Sequence, residues 1–459
     1  MPEQSVVFRE EPVFPPEIFK EIIDHLADLF SPIEDTNLRV KATKKEMQVI
    51  ALVSKVFLSI ARAFLFQEIY FNVRQTLPLG SIANFFAKNE RVAWVVNRVD
   101  LLFHNQYFAN EERITSLFEL PNVEILSISQ NIFFKLEKEA YESSSSDIST
   151  YGLRSFLEHY LQSGKRLNTL RVSYLDHLPF TKILSSPTLQ SLHLSKCNLS
   201  TPFHQVPSSE SGLTSITIDG GVIHVSILAN FRRLEKLYLS SEYVMTNNLI
   251  PTNVPIFPSL KYLFKMFPPD FGFEEESMEP EELTDIKFIT DNSPNLTCLS
   301  LQYQDLGYAP PVALSPSLVD LALEWRGAAC HPFNKASHRA PIEALSSFKH
   351  PSLKTLGLKL TVLIFGDAVV DQSVVFANLL DTFGDIVSLA MDTDSTRFPS
   401  LDSLSIAILI RRQTSSEDEI WDCGSLKGSL EQHIQRLNTT DRYKFRSQVG
   451  VERITEVER

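Results

Sequence analysis

Pro187-Thr188-Leu189-Gln190-Ser191-Leu192-His193-Leu194-Ser195-Lys196-Cys197-Asn198-Leu199 reads as one short strand held between two turns. Leu192 and Leu194 alternate with polar neighbours, so both point to one face. Leu189 and Leu199 fill the same interior from either side. Cys197 offers a small group that sits under a turn and hydrogen-bonds to backbone. Pro187 ends whatever precedes it and forces an extended approach to the strand.

The pattern returns along the chain. Pro121-Asn122-Val123 leads to Leu126 and Ile128, with Asn131 where Cys197 stood. Pro294-Asn295-Leu296 leads to Leu299 and Leu301, Pro316-Ser317-Leu318 to Leu321 and Leu323, Pro351-Ser352-Leu353 to Leu356 and Leu358, and Pro399-Ser400-Leu401 to Leu404 and Ile406. Pro258-Ser259-Leu260 starts in the same way, but only Leu263 follows in register. Copies without the proline start at Val96, Leu167, Leu213, Leu234 and Ile386. About a dozen copies of L-x-x-L-x-L-x-x-N/C-x-L make the leucine-rich repeat the reading of most of the chain.

Helical stretches precede several strands. Ser81 caps Ile82, Phe85 and Phe86; Leu153, Phe156, Leu157, Tyr160 and Leu161 form an apolar stripe that Gly164 ends; Phe376, Leu379, Leu380 and Phe383 do the same before Gly384. Helix followed by strand, repeated, predicts an α/β horseshoe with parallel strands on the concave face and helices on the convex face. Spacing is irregular, with insertions near 129–152, 264–293 and 326–341. They hold the run Ser143 to Ser146, the acidic run Glu274 to Glu282, and Cys330-His331-Pro332. The expected organisation is a flexible start at 1–12, a helical domain at 13–75, the repeats at 76–429, and a charged helical cap or loose tail at 430–459.

Composition narrows the function. Lys and Arg number 43 against 56 Asp and Glu, and the formal charge of −13 argues against general nucleic-acid or anionic-membrane binding. Hydrophobic residues make up 43%, enough for a large core, yet no run is long enough to span a bilayer. Met1 to Phe14 does not read as a secretory signal. Cys197, Cys298, Cys330 and Cys423 are scattered, without C-x-x-C, which fits free thiols in a reducing cytoplasm or nucleus.

Residues 13–75 lie outside the repeat. Ile18, Phe19, Ile22, Ile23 and Leu26 make one helical stripe behind Pro15 and Pro16. After a polar connection, Thr43 and Glu46 form a capping box ahead of Met47, Ile50, Ala51, Ser54, Phe57, Leu58 and Ala61. Phe14-Pro15-Pro16-Glu17-Ile18, Ile22, Ile23 and Leu26, then Val53-Ser54-Lys55-Val56-Phe57 with Ile60 and Ala61, resemble the F-box. The wording Ala51-Leu52-Val53-Ser54-Lys55 and Leu65-Phe66-Gln67-Glu68-Ile69 is similar to F-box proteins of mushroom-forming fungi. The resemblance implies a substrate-recognition subunit of a cullin-RING ligase of the SCF type. Pro15, Ile18, Ile22, Leu26, Val53 and Phe57 would then dock on a Skp-type adaptor, and through it on a cullin. The alternative is a leucine-rich-repeat binding scaffold whose N-terminal helices merely cap the array and which has no ligase role.

Strand alternation nominates Arg171, His193, Asp219, Lys236, Tyr238, Asp320, Glu324, Lys359 and Asp392 for the concave face, with Trp325 beside them. Such faces bind proteins in other repeat arrays, and Tyr, Trp and Arg are enriched in binding hot spots. Asp392 and Asp394 read first as turn residues, which weakens the nomination of Asp392. The sequence has no G-x-S-x-G, Walker loop, G-x-G-x-x-G or H-E-x-x-H, so a non-catalytic receptor without cofactor is expected. Cys330, His331 and His338 lack a fourth partner at zinc spacing. The expected partners are the adaptor and an unidentified target protein.

Overall fold

A computed structural model describes residues 45, 48–49, 61, 65–73, 85–86, 88–104, 120–131, 146–147, 153–162, 165–176, 178–199, 211–228, 231–240, 243–246, 255–267, 281–303, 315, 317–328, 350–364, 398–413, 428–429, 431–432 and 444–454. The chain forms two compact units, residues 1–182 and 183–459.

The first unit holds strands β1 (Glu68–Val73), β2 (Arg98–His104), β3 (Ile125–Asn131), β4 (Ser146–Asp147), β5 (Thr169–Ser173) and β6 (Leu175–Asp176). β1, β2, β3 and β5 pair in parallel in that order, and β4 pairs with β6. The helices described in full that begin in this unit are α1 (Glu90–Ala93), α2 (Leu153–Tyr160) and α3 (Phe180–Ser185). Phe156, Leu157, Tyr160 and Leu161 bury the stripe read from the sequence of α2. The Tyr160 hydroxyl donates to the Leu120 carbonyl at 3.5 Å, and burial raises its pKa.

The second unit holds β7 (Ser191–Leu199), β8 (Ser215–His224), β9 (Lys236–Leu239), β10 (Tyr243–Thr246), β11 (Tyr262–Phe267), β12 (Cys298–Tyr303), β13 (Asp320–Ala328), β14 (Thr355–Ile364), β15 (Ser403–Gln413) and β16 (Lys444–Ile454). All pair in parallel along the order β7-β8-β9-β11-β12-β13-β14-β15-β16, with β10 beside β8. Among the described residues the helices described in full here are α4 (Val225–Leu228) and α5 (Glu281–Asp291). Among the described residues the sheet does not close on itself. An open parallel sheet built from sequence repeats is therefore the α/β architecture observed.

One hydrogen-bonded step repeats at most of the strand starts. The carbonyl of Glu235 accepts from Lys261 N (2.9 Å) and Tyr262 N (3.0 Å). Lys261 does the same for Thr297 and Cys298, Thr297 for Val319 and Asp320, Val319 for Lys354 and Thr355, and Lys354 for Asp402 and Ser403. Asn97 and Glu124 make this step in the first unit. Each copy thus fixes the register of the next, which places equivalent leucines side by side.

The prolines serve a tighter purpose than ending a helix. In Phe257-Pro258-Ser259-Leu260, Leu260 N donates back to Phe257 O at 3.3 Å. Leu296, Leu318, Leu353 and Leu401 donate to Ser293, Ser315, His350 and Phe398 in the same way. Proline occupies the second position of each turn, where its fixed φ is pre-set. The amide of Asn295 ties one turn to the previous one by donating to Pro258 O at 2.7 Å.

The core is a stack of ranks. Leu237, Leu263, Leu299, Leu321, Leu356 and Leu404 form one buried rank and Leu301, Leu323, Leu358 and Ile406 the next. Further along, Phe267 stacks on Tyr303 (4.8 Å between centroids, 1° between planes), and Tyr303 stacks on Trp325 (6.0 Å, 22°). Cys197 is buried, its Sγ 3.4 Å from Ser195 O. Gly221 has φ +91, and a Cβ there would collide with the Cys197 carbonyl oxygen, so glycine is obligatory.

Lys265 explains the broken phrase after Pro258. It stands where a leucine belongs and is 0% exposed. Its stem fills the leucine slot, while Nζ reaches the Ser240 carbonyl at 3.3 Å and lies 5.5 Å from the Phe267 ring centre. The segment expected as a helical cap or loose tail contains β16, eleven residues paired in parallel with β15. Lys444 N donates to Asp402 O at 2.9 Å, half of the repeated step. Glu281 and Glu282, the end of the acidic run, open α5. The second helix's capping box, the stripes at 376–383 and the copy at Ile386 lie outside the described residues. None of the helices of the described residues is long and apolar enough to cross a membrane.

Candidate protein-binding face

Side chains that alternate with the buried ranks stand on the sheet's other, open face. In the second unit the parallel register arranges them in rows across the strands. One row runs Ser191, Ser215, Lys236, Tyr262, Cys298, Asp320, Thr355, Ser403, Lys444. The next runs His193, Thr217, Tyr238, Phe264, Ser300, Ala322, Gly357, Ser405, Arg446.

Three of these residues make an aromatic patch. Tyr238 lies 5.2 Å from Tyr262 and 6.1 Å from Phe264 between ring centres, and all three are half-buried. Lys236 is exposed beside them. Aromatic rings left partly in water on a sheet face are the kind of surface that anchors a partner. Burial, and then the neighbouring Tyr238, raise the Tyr262 pKa, so its hydroxyl remains a donor at neutral pH.

An ionic cluster lies two to four strands away. Glu324 Oε1 accepts from Arg326 Nε at 2.9 Å and from Lys359 Nζ at 3.2 Å, with Thr361 Oγ1 at 3.5 Å. With its amide oxygen turned toward Arg326, Gln302 accepts from that guanidinium at 3.1 and 3.2 Å. One carboxylate thus holds two cations, leaving a positive excess. Lys444 and Arg446 stand exposed on β16. Between the two patches, Asp320 aligns with Cys298. Burial first, and Asp320 second, push the Cys298 thiol up to about 11, so it is protonated and unreactive at neutral pH.

The nominated residues divide among these places. Lys236, Tyr238, Asp320, Glu324 and Lys359 share the open face of the second unit. His193 is half-buried at the β7 end, and exposed Asp219 accepts from Ser195 Oγ at 3.2 Å. Arg171 is exposed on β5 in the first unit, aligned with Ser127 and Asp100. Trp325 is a correction: it continues the parity of Leu321 and Leu323 and is 1% exposed in the core. Asp392, Cys330, His331, His338 and the adaptor-docking residues Pro15, Ile18, Ile22, Leu26, Val53 and Phe57 lie outside the described residues. Among the described residues no cluster of three His, Cys, Asp or Glu side chains is arranged to hold a metal ion.

Sequence reading passed over Tyr262, Phe264, Arg326, Lys444 and Arg446. The first two were hidden because Lys265 breaks the leucine rhythm. The last two carried a signal: Lys444-Phe445-Arg446-Ser447-Gln448-Val449-Gly450-Val451 alternates, but its charge reads as a tail. No protein-family model matches the chain, and no curated protein matches it.

Proposed function

We propose that this chain is the target-recognition subunit of a cullin-RING ubiquitin ligase. Residues 13–75 dock on a Skp-type adaptor, and a leucine-rich-repeat horseshoe holds a target protein on its strand face. The carrying observation is the pairing of F-box wording at Phe14 to Leu26 and Ala51 to Ile69 with a following repeat array. The open parallel sheet, with aromatic and charged residues on its unburied face, supports the target-holding half of the reading. Ubiquitin transfer itself would be supplied by other subunits. This chain contributes proximity, raising the local concentration of target lysines. Fold alone does not define function, so the reading rests on the docking wording.

Co-precipitation with a Skp-type adaptor tests it. The intact chain is expected to bind, and Ile22→Asp or removal of residues 1–75 to abolish binding. An intact, folded chain that does not bind the adaptor leaves a repeat scaffold without a ligase role.

A further inference from the structure

We infer that the row Phe264, Ser300, Ala322, Gly357, Ser405, Arg446 is a track for an extended acidic segment of the target. The inference rests on the target-holding reading above and names the chemistry of what is held. At one end of the row, Tyr238, Tyr262 and Phe264 offer rings for an apolar side chain. At the other stand Lys444 and Arg446, while Arg326 and Lys359 lie beside the row on the strands of Ala322 and Gly357; among the described residues the carboxylates beside them on this face are those of Asp320 and Glu324. A local positive excess on a chain of net charge −13 is complementary to an anionic partner.

The floor between the two ends is low. Ala322, Gly357 and Ser405 are adjacent in register. Gly357 is not demanded by packing. A Cβ there would meet Ser405 Oγ at 3.5 Å and Ala322 Cβ at 3.8 Å, both ordinary contacts, and Gly357 is not among the residues of positive φ. Glycine weakens a strand interior and marks places where another backbone approaches closely. With neighbouring strands about 4.8 Å apart, Phe264 and Arg446 are roughly 24 Å apart, a span of about seven extended residues.

Cation spacing selects the occupant. Lys359 and Arg446 are two strands and two residues apart, about 12 Å, and Lys444 lies about 7 Å along β16 from Arg446. Those intervals suit carboxylates spaced along an extended chain. A single phosphate instead gathers its donors at one point.

The test uses the full chain and a fluorescein-labelled synthetic peptide with leucine and phenylalanine at one end followed by alternating serine and glutamate, made in both chain directions. Anisotropy is expected to show binding in one direction, weakened by salt and at least tenfold weaker when glutamine replaces glutamate. Lys359→Glu with Arg446→Glu lowers affinity at least tenfold. Gly357→Val lowers it as much while the melting temperature stays level or rises, because valine suits a strand better than glycine. Equal binding of the glutamine peptide, full affinity in Gly357→Val, or binding only when phosphoserine replaces glutamate overturns the inference. The assay contains no adaptor, so a chain that binds the peptide but not the adaptor keeps this track and loses the ligase role.

Discussion

Leu321 and Ala322 are neighbours on one strand and answer to different demands. Leu321 belongs to a rank running from Leu237 to Leu404, where each leucine touches its equivalents in the strands on either side. Ala322 belongs to a row in which ring, hydroxyl, methyl, bare backbone and guanidinium follow one another without repeating. The buried face is uniform because every copy solves the same packing problem. The open face varies because nothing in the fold fixes it, which leaves it for recognition.

Substitutions on the two faces should therefore separate stability from binding. The largest effect is expected at the uniform face: Leu299→Ala, fully buried, lowers unfolding free energy by about 2–5 kcal/mol, read by denaturant titration. Gly221→Ala comes next, at about 1–3 kcal/mol, because it places a side chain at positive φ and against Cys197. Glu324→Gln is expected to cost no more than about 1 kcal/mol, since its ion pairs are partly solvated, while loosening Arg326 and Lys359.

A smaller effect is pH-dependent. The Cys298 thiol is raised from an ordinary 9.0 to about 11, so folding favours its protonated form. That contribution is fully present below about pH 9 and is lost as pH rises through about 11. Melting curves of Cys298→Ser should decline less between pH 9 and 11 than those of the unaltered chain. An identical decline would mean that Cys298 is not the group titrating.

The rhythm of the repeat was legible wherever leucine filled both strand slots. It failed at Lys265, where an aliphatic stem replaces a leucine and a carbonyl receives the charge. It failed again at β16, where Phe445, Val449 and Val451 alternate in the sequence with charged and polar residues that read as a tail. Trp325 was misplaced by its chemistry: its residue type suggests a hot spot, but its parity places it in the core beside Tyr303. Half of the candidate face was therefore visible, namely Lys236, Tyr238, Asp320, Glu324 and Lys359. The cations of β16 were not, because the charge of their alternating segment reads as a tail and its place in the sheet depends on a hydrogen-bonded step from Asp402.

The most direct measurement takes two adjacent residues, Leu358→Ala and Lys359→Glu, and records both unfolding free energy and affinity for the acidic peptide. Leu358→Ala is expected to lose about 2–5 kcal/mol of stability and to retain affinity in its folded fraction. Lys359→Glu should keep its stability to within about 1 kcal/mol and lose affinity. If both substitutions change the same quantity, the two faces are not divided between building and binding.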